Sequence, residues 1–278
     1  MMQEGTFTAA DGHTTLHERR MICDGAPLAN IVLLHGYGDH SGRYEWVMHT
    51  FRDAQMNVFA YDQRGHGKSP GKRAYIHRFE DFLDDLDVYL EHVSEAVADA
   101  PLFLMGHSMG GMVLARYAET RRLEQPRGLV FSSPFLAFSD DTPAFLLALG
   151  PYVAKVLPWL PISNVDNAGL SRDPAVIEAT NNDPLAYHGR VAAHTGAEFY
   201  RMVHVIDADM ERITLPMLVM HGTADAIVGP SGSEKLHAKA GATDKTLRMY
   251  DGGYHELYND LEKEQFMAEI ITWIKARL

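Results

Sequence analysis

The chain has one cysteine, Cys23, in 278 residues. That scarcity excludes an internal disulfide framework and a zinc site built on cysteine ligands. It also lacks positive charge: 25 Lys and Arg stand against 37 Asp and Glu, a formal net charge of -12. Nucleic-acid binding needs a basic footprint, so no nucleic-acid partner is expected. No run of about 18 apolar residues occurs, which argues against a membrane span. Met1 to Thr6 shows neither a basic stretch nor an apolar core of the kind a secretion signal carries, so a cytoplasmic location is expected. Repeats and low-complexity segments are absent, and so is any His-Glu-x-x-His or comparable ligand spacing. No metal and no cofactor are therefore expected.

What the chain does have is a globular composition, 46% hydrophobic, and enough length for one core with an insertion. Short apolar runs recur at Asn30 to Leu34, Asn57 to Tyr61, Leu102 to Met105, Gly128 to Ser132, Pro216 to Met220 and Thr246 to Tyr250. Their length fits strands covered on both faces. Between them lie helical patterns, Tyr44 to Gln55 and Phe79 to Ala96, and the chain closes with another from Leu261 to Leu278. Asp11-Gly12 is a hairpin signal near the start. Strands alternating with helices predict a mostly parallel sheet with helices on both faces. From about Pro134 to His204 the rhythm breaks into a proline-rich stretch with no charged side chain between Thr142 and Ala154. This reads as an inserted helical cap over residues 134–204, with the core formed by 1–133 and 205–278.

The stretch Leu102 to Gly111 runs from a strand into Gly106-His107-Ser108-Met109-Gly110 and on into a helix. A serine on so sharp a reversal needs neighbours without side chains, which Gly106 and Gly110 supply, and the context is that of a nucleophile elbow. A serine hydroxyl is a poor nucleophile at neutral pH, so it needs a base and a group to orient the base. Asp225 follows the strand Pro216 to Met220, and His255 follows the last strand. The order serine, acid, histidine, each after a strand, predicts Ser108, Asp225 and His255 as a catalytic triad. The oxyanion of the intermediate needs backbone donors: Met109, which follows the serine, and Tyr37 in His35-Gly36-Tyr37-Gly38, with Gly38 as the alternative. Asp62, Arg64 and His66 read as a structural hydrogen-bond network, and Asp84, Asp85 and Asp87 as the solvated face of a helix. Asp140-Asp141 resembles a helix start.

Four stretches, His35 to Tyr44, Asp62 to Ser69, Gly106 to Gly111 and Gly253 to Leu257, give the chain a resemblance to the monoacylglycerol lipase branch of the alpha/beta-hydrolase superfamily, also labelled lysophospholipase-like. The resemblance implies an alpha/beta-hydrolase fold, the same triad and oxyanion donors, and hydrolysis of medium to long-chain monoacylglycerols. It also implies that Arg43 and His107 lie near the polar end of an acyl tunnel. One departure is Ala74, where the family more often has glycine. The cap carries many apolar residues, among them Phe145, Leu149 and Trp159. These read as acyl-chain contacts, although a cap must also bury apolar surface against its core. Exposed apolar surface on the cap would allow peripheral contact with lipid. Within enzymes, the alternatives are a general carboxylesterase or a lysophospholipase acting on other single-chain or short acyl esters. From a different class, the alternative is a catalytically silent binding protein on the same fold.

Overall fold

The computed structural model describes residues 2–96, 100–121 and 126–278. In chain order the elements are β1 (Met2–Thr8), β2 (Thr15–Met21), β3 (Ala29–Leu34), α1 (Glu45–Asp53), β4 (Met56–Tyr61), α2 (Glu80–Ala96), β5 (Leu102–His107), α3 (Met109–Thr120) and β6 (Pro126–Ser132). Then follow α4 (Ala144–Val156), β7 (Pro161–Ser163), α5 (Pro174–Asn182), β8 (Val191–Ala192), α6 (Ala193–Asp209), β9 (Met217–Gly222), α7 (Ser231–Lys239), β10 (Lys245–Tyr250) and α8 (Lys263–Lys275). The sheet runs β1-β2-β4-β3-β5-β6-β9-β10. The β1–β2 hairpin is antiparallel and joins β4 antiparallel, and every pairing from β4 to β10 is parallel.

Alternation along the strands divides the core. Val32, Leu34, Phe59, Tyr61, Leu104, Leu129, Phe131 and Val219 face one apolar cluster, packed by α2, α3 and α6. Ile31, Leu33, Val58, Ala60, Phe103, Met105, Val130 and Leu218 face the other, packed by α1 and α8. Period two explains both sets, since successive side chains point to opposite faces and both faces are covered. Truncating a fully buried side chain such as Phe59 or Phe131 to Ala would cost ~3–5 kcal/mol.

Two expectations need correction. The run at Asp84, Asp85 and Asp87 is only in part a solvated face: the Asp84 and Asp87 side chains are 37% and 39% exposed, but Asp85 is 1% exposed and takes Arg64 Nε at 2.5 Å and Nη2 at 2.7 Å, along with the Ala10 amide at 3.0 Å. Asp87 accepts from Tyr117 Oη at 2.5 Å. The helix after Asp140-Asp141 begins only at Ala144, with Pro143 as its flanking residue. Within residues 134–204 lie α4, β7, α5 and β8. The helix α6 continues through position 204 to Asp209, and its Phe199, Met202 and Ile206 join the core cluster. Among the described residues no helix is long and apolar enough to cross a membrane.

Parallel strands bring their carboxyl ends to one edge of the sheet, where ligand crevices form in open α/β sheets. The loops after β3, β5, β9 and β10 all open at that edge.

Candidate active site

Ser108 follows β5 with φ 53° and ψ -117°, outside the regions an L-residue ordinarily occupies. The surrounding glycines make this possible. A Cβ at Gly106 would stand 2.4 Å from the Gly110 carbonyl oxygen, and one at Gly110 would stand 2.2 Å from that of Leu34. The turn is held by the Ser108 amide donating to the Ser132 carbonyl at 3.1 Å, while the Ser108 carbonyl accepts from the Phe135 amide at 3.0 Å. The Met109 amide opens α3, and the first amides of a helix have no partner inside it.

The loop after β3 packs against this turn. A Cβ at Gly36 would lie 3.2 Å from Ser108 Cβ and 3.3 Å from His107 Cδ2. The Tyr37 side chain donates its hydroxyl to the Ala74 carbonyl at 2.9 Å, and its ring meets His66, Tyr187 and Phe199 edge-on. The Gly38 carbonyl accepts from the Tyr187 amide at 2.8 Å. Ala74 adopts φ 49°, a left-handed conformation that glycine takes without strain and alanine does not.

Asp225 and His255 come together across the ends of β9 and β10. Asp225 Oδ2 accepts from His255 Nδ1 at 2.6 Å and from His221 Nε2 at 3.0 Å. Its Oδ1 accepts from the amides of Ile227 at 2.9 Å and Val228 at 3.1 Å. Because a carboxylate can only accept, Nδ1 of His255 carries its proton and Nε2 is left as the basic nitrogen. Burial favours the protonated acid, but the His255 and His221 rings outweigh it and hold Asp225 well below the usual carboxylate range. Burial likewise lowers the proton affinity of His255, and the Asp225 carboxylate more than restores it, so the imidazole sits above its ordinary value.

His107 is buried beside these groups, its ring 4.7 Å from that of His255. Burial, with His255 adding to it, keeps His107 neutral, and its Nδ1 lies 3.1 Å from the Ser132 carbonyl. Arg43 is committed to internal acceptors: Glu256 with both nitrogens at 2.7 and 2.8 Å, Asp39 at 3.2 Å and Thr180 Oγ1 at 2.7 Å. Asp39 also accepts from Tyr44 Oη at 2.9 Å and is held at about 2, since Arg43 and nearby histidines outweigh burial. Neither Asp39 nor Glu256 stands out in sequence. Asp62 anchors a separate network with Ser41 and the Lys68 amide as donors, whereas Arg64, expected in the same network, turns to Asp85 and Asp11.

Ser108, His107, His255, Tyr37 and Arg43 all line one cavity of about 740 Å³. Its wall includes Phe135, Phe138, Leu147, Ile162, Ile177 and Phe199. Phe145, Leu149 and Trp159, expected as acyl-chain contacts, do not line it; they stand 63%, 56% and 66% exposed. For Phe145 and Leu149 nothing in the sequence warns of this, because α4 carries a single charged side chain, Lys155, and no polar stripe marks its outer face; Trp159 lies in the turn beyond α4.

The loop after β10 is tied by its backbone to the segment between β7 and α5. The amides of His255 and Glu256 donate to the carbonyls of Gly169 at 3.3 Å and Leu170 at 2.7 Å.

The sequence pattern of the family described as "Serine aminopeptidase, S33" matches residues 25–262. A monoacylglycerol lipase of Mycolicibacterium smegmatis is 31% identical over 255 residues, covering 92% of this chain and 91% of that protein. The monoglyceride lipase of Rattus norvegicus is 33% identical over 257 residues, covering 91% and 84%. Among solved structures, the crystal structure of Paleococcus ferrophilus monoacylglycerol lipase superposes with a TM-score of 0.84 at 35% identity, covering 95% of this chain and 99% of that one.

Proposed function

The chain belongs to the serine aminopeptidase S33 family of hydrolases, and on that premise we propose that it cleaves the ester bond of monoacylglycerols to fatty acid and glycerol through an acyl-enzyme on Ser108. The observation that carries the reading is the single cavity shared by Ser108 and His255, with His255 held by Asp225 at 2.6 Å.

His255 Nε2 takes the Ser108 proton as Oγ attacks the ester carbonyl. The amides of Met109 and Tyr37 receive the oxyanion, the first favoured by the start of α3. His255, now cationic and stabilised by Asp225, gives its proton to the leaving glycerol oxygen. A water activated by the same histidine then releases the fatty acid and regenerates Ser108. Neutral His107 adds no positive charge to oppose that imidazolium.

The cavity volume suits a lipid-sized ligand, and its aliphatic and aromatic wall suits an acyl chain. As an expected partner, the substrate is therefore a small lipid ester. The core is read as 1–133 and 205–278 with residues 134–204 as the cap, and peripheral contact with lipid through that cap is part of the proposal.

Ser108→Ala should abolish hydrolysis, and an organophosphonate should label Ser108 in the parent chain. A series of glyceryl esters should give its highest kcat/KM at medium or long acyl chains. A maximum at the shortest esters would replace this reading with a general carboxylesterase, and no labelling with no turnover would leave a silent binding protein.

A further inference from the structure

His221 ends β9 one residue before its last position, fully buried and four residues ahead of Asp225. Its Nε2 lies 3.0 Å from Asp225 Oδ2, the oxygen that His255 Nδ1 reaches at 2.6 Å. Its Nδ1 lies 2.7 Å from Ser233 Oγ in the first turn of α7. The carboxylate can only accept, so Nε2 of His221 bears the proton; in the neutral ring Nδ1 accepts from the Ser233 hydroxyl. The result is a chain Ser233–His221–Asp225–His255 in which each hydrogen bond fixes the tautomer of the next.

We infer that His221 is a positioning residue for Asp225, holding Oδ2 toward His255 and drawing off part of its negative charge, and so setting the pH at which His255 becomes a base. The inference rests on the reading of Ser108, Asp225 and His255 as the triad. Its physical content is a competition. Every strong donor on a carboxylate spreads the charge that would otherwise stabilise the imidazolium. The two amides on Oδ1 already anchor the loop, so His221 is not needed to satisfy a turn aspartate. The other ionisable groups acting on His255 are Glu256 and Asp39, which support its protonation; His107, with its ring 4.7 Å away, is neutral and adds no charge. Across the sheet from His221 on β10 stands Met249, which does not titrate.

The test compares His221→Leu, His221→Gln and Ser233→Ala with the parent chain, using a water-soluble ester, full pH profiles of kcat/KM and thermal melts. A hydrogen bond to a charged group corresponds to roughly a 10- to 100-fold effect. His221→Leu should therefore lower kcat by at least about 10-fold with KM within about 2-fold. Its acid limb should move up by about half a pH unit, because Asp225 then acts on His255 alone. His221→Gln, which keeps a donor, should recover most of both. Ser233→Ala should shift the limb in the same direction by less. If kcat and the acid-limb midpoint of His221→Leu match the parent, or if kcat falls without any shift of the midpoint, the inference is overturned. Should His221→Leu fail to fold, an unchanged profile in Ser233→Ala overturns it equally. Ser108→Ala run alongside separates the two failures, since near-normal turnover there would sink the triad itself.

Discussion

Arg43 holds Glu256, the residue after His255, with two parallel hydrogen bonds of 2.7 and 2.8 Å, and the same guanidinium reaches Asp39 on the loop after β3 and Thr180 on α5. One side chain thus ties together the loop after β3, the loop after β10 and α5. Its neighbours are almost fully buried, Glu256 at 2% and Asp39 at 6% exposure. Removing one partner of such a group leaves charge without compensation, at a cost of about 3–5 kcal/mol. Arg43→Ala should lower the melting temperature by roughly 5–15 °C and reduce turnover with it. Arg43→Lys should recover part of the stability, since it keeps the charge and loses the fork. A melt unchanged in Arg43→Ala would show that the pair carries no structural load.

The pH dependence follows from His255. Its imidazole is raised above the ordinary value by Asp225, so the free base appears only above 6.5. Accordingly kcat/KM should rise with pH through a midpoint above 6.5. Asp225→Asn should move that midpoint down and cut kcat by roughly 10³–10⁴-fold. For stability the signs oppose each other. The raised His255 contributes most below 6.5 and loses its contribution as pH climbs through its folded value, whereas the lowered Asp225 contributes above its usual range and loses it in acid. Thermal melts across pH would reveal a plateau bounded on both sides; a melt rising monotonically into alkali would contradict this.

Gly110→Ala should be among the most damaging small substitutions. The added methyl would sit 2.2 Å from the Leu34 carbonyl and 2.7 Å from that of His35, both backbone atoms that cannot step aside. A loss above about 3 kcal/mol, with organophosphonate labelling reduced to background, is the expected result. The contrasting change is Ala74→Gly, which relieves a left-handed alanine and should leave the melt equal or higher by up to about 1 kcal/mol.

The cavity wall and the outer cap should separate in a chain-length assay. Ile177→Trp, which fills the cavity, should selectively depress kcat/KM for long acyl esters while sparing short ones. Leu149→Gln changes an exposed side chain, and turnover of a monomeric ester should stay within about 2-fold. Equal effects from the two would mean that α4 presents Leu149 to the substrate.

The sheet was readable because its strands are short, apolar and covered on both sides, so period and length agree. Ser108, Asp225 and His255 were legible as candidates because strand ends are where this architecture exposes chemistry, and the structure brings Asp225 to His255 at 2.6 Å beside a cavity that Ser108 also lines. Other elements left weaker marks. The helix Ser231–Lys239 has Leu236 as its one large apolar side chain, which is too little to define a stripe. Asp85 looks like its neighbours in sequence, and only the approach of Arg64 from a distant loop makes it internal. His221 could have been found from its i, i+4 spacing to Asp225, but the strand boundary between them hides that the two side chains converge.

The hydrogen bonds from the His255 and Glu256 amides to Gly169 and Leu170 use only main-chain atoms. A tether of that kind is blind to sequence. Side chains of residues 134–204 that face the cavity, such as Leu147, Ile162 and Ile177, can therefore change while the loop carrying His255 keeps this anchor. By the same token, a segment transplanted here from a relative needs to match this chain in backbone course at two residues, with a small residue in place of Gly169, where a Cβ would lie 3.1 Å from Ile227, and an apolar one in place of the buried Leu170.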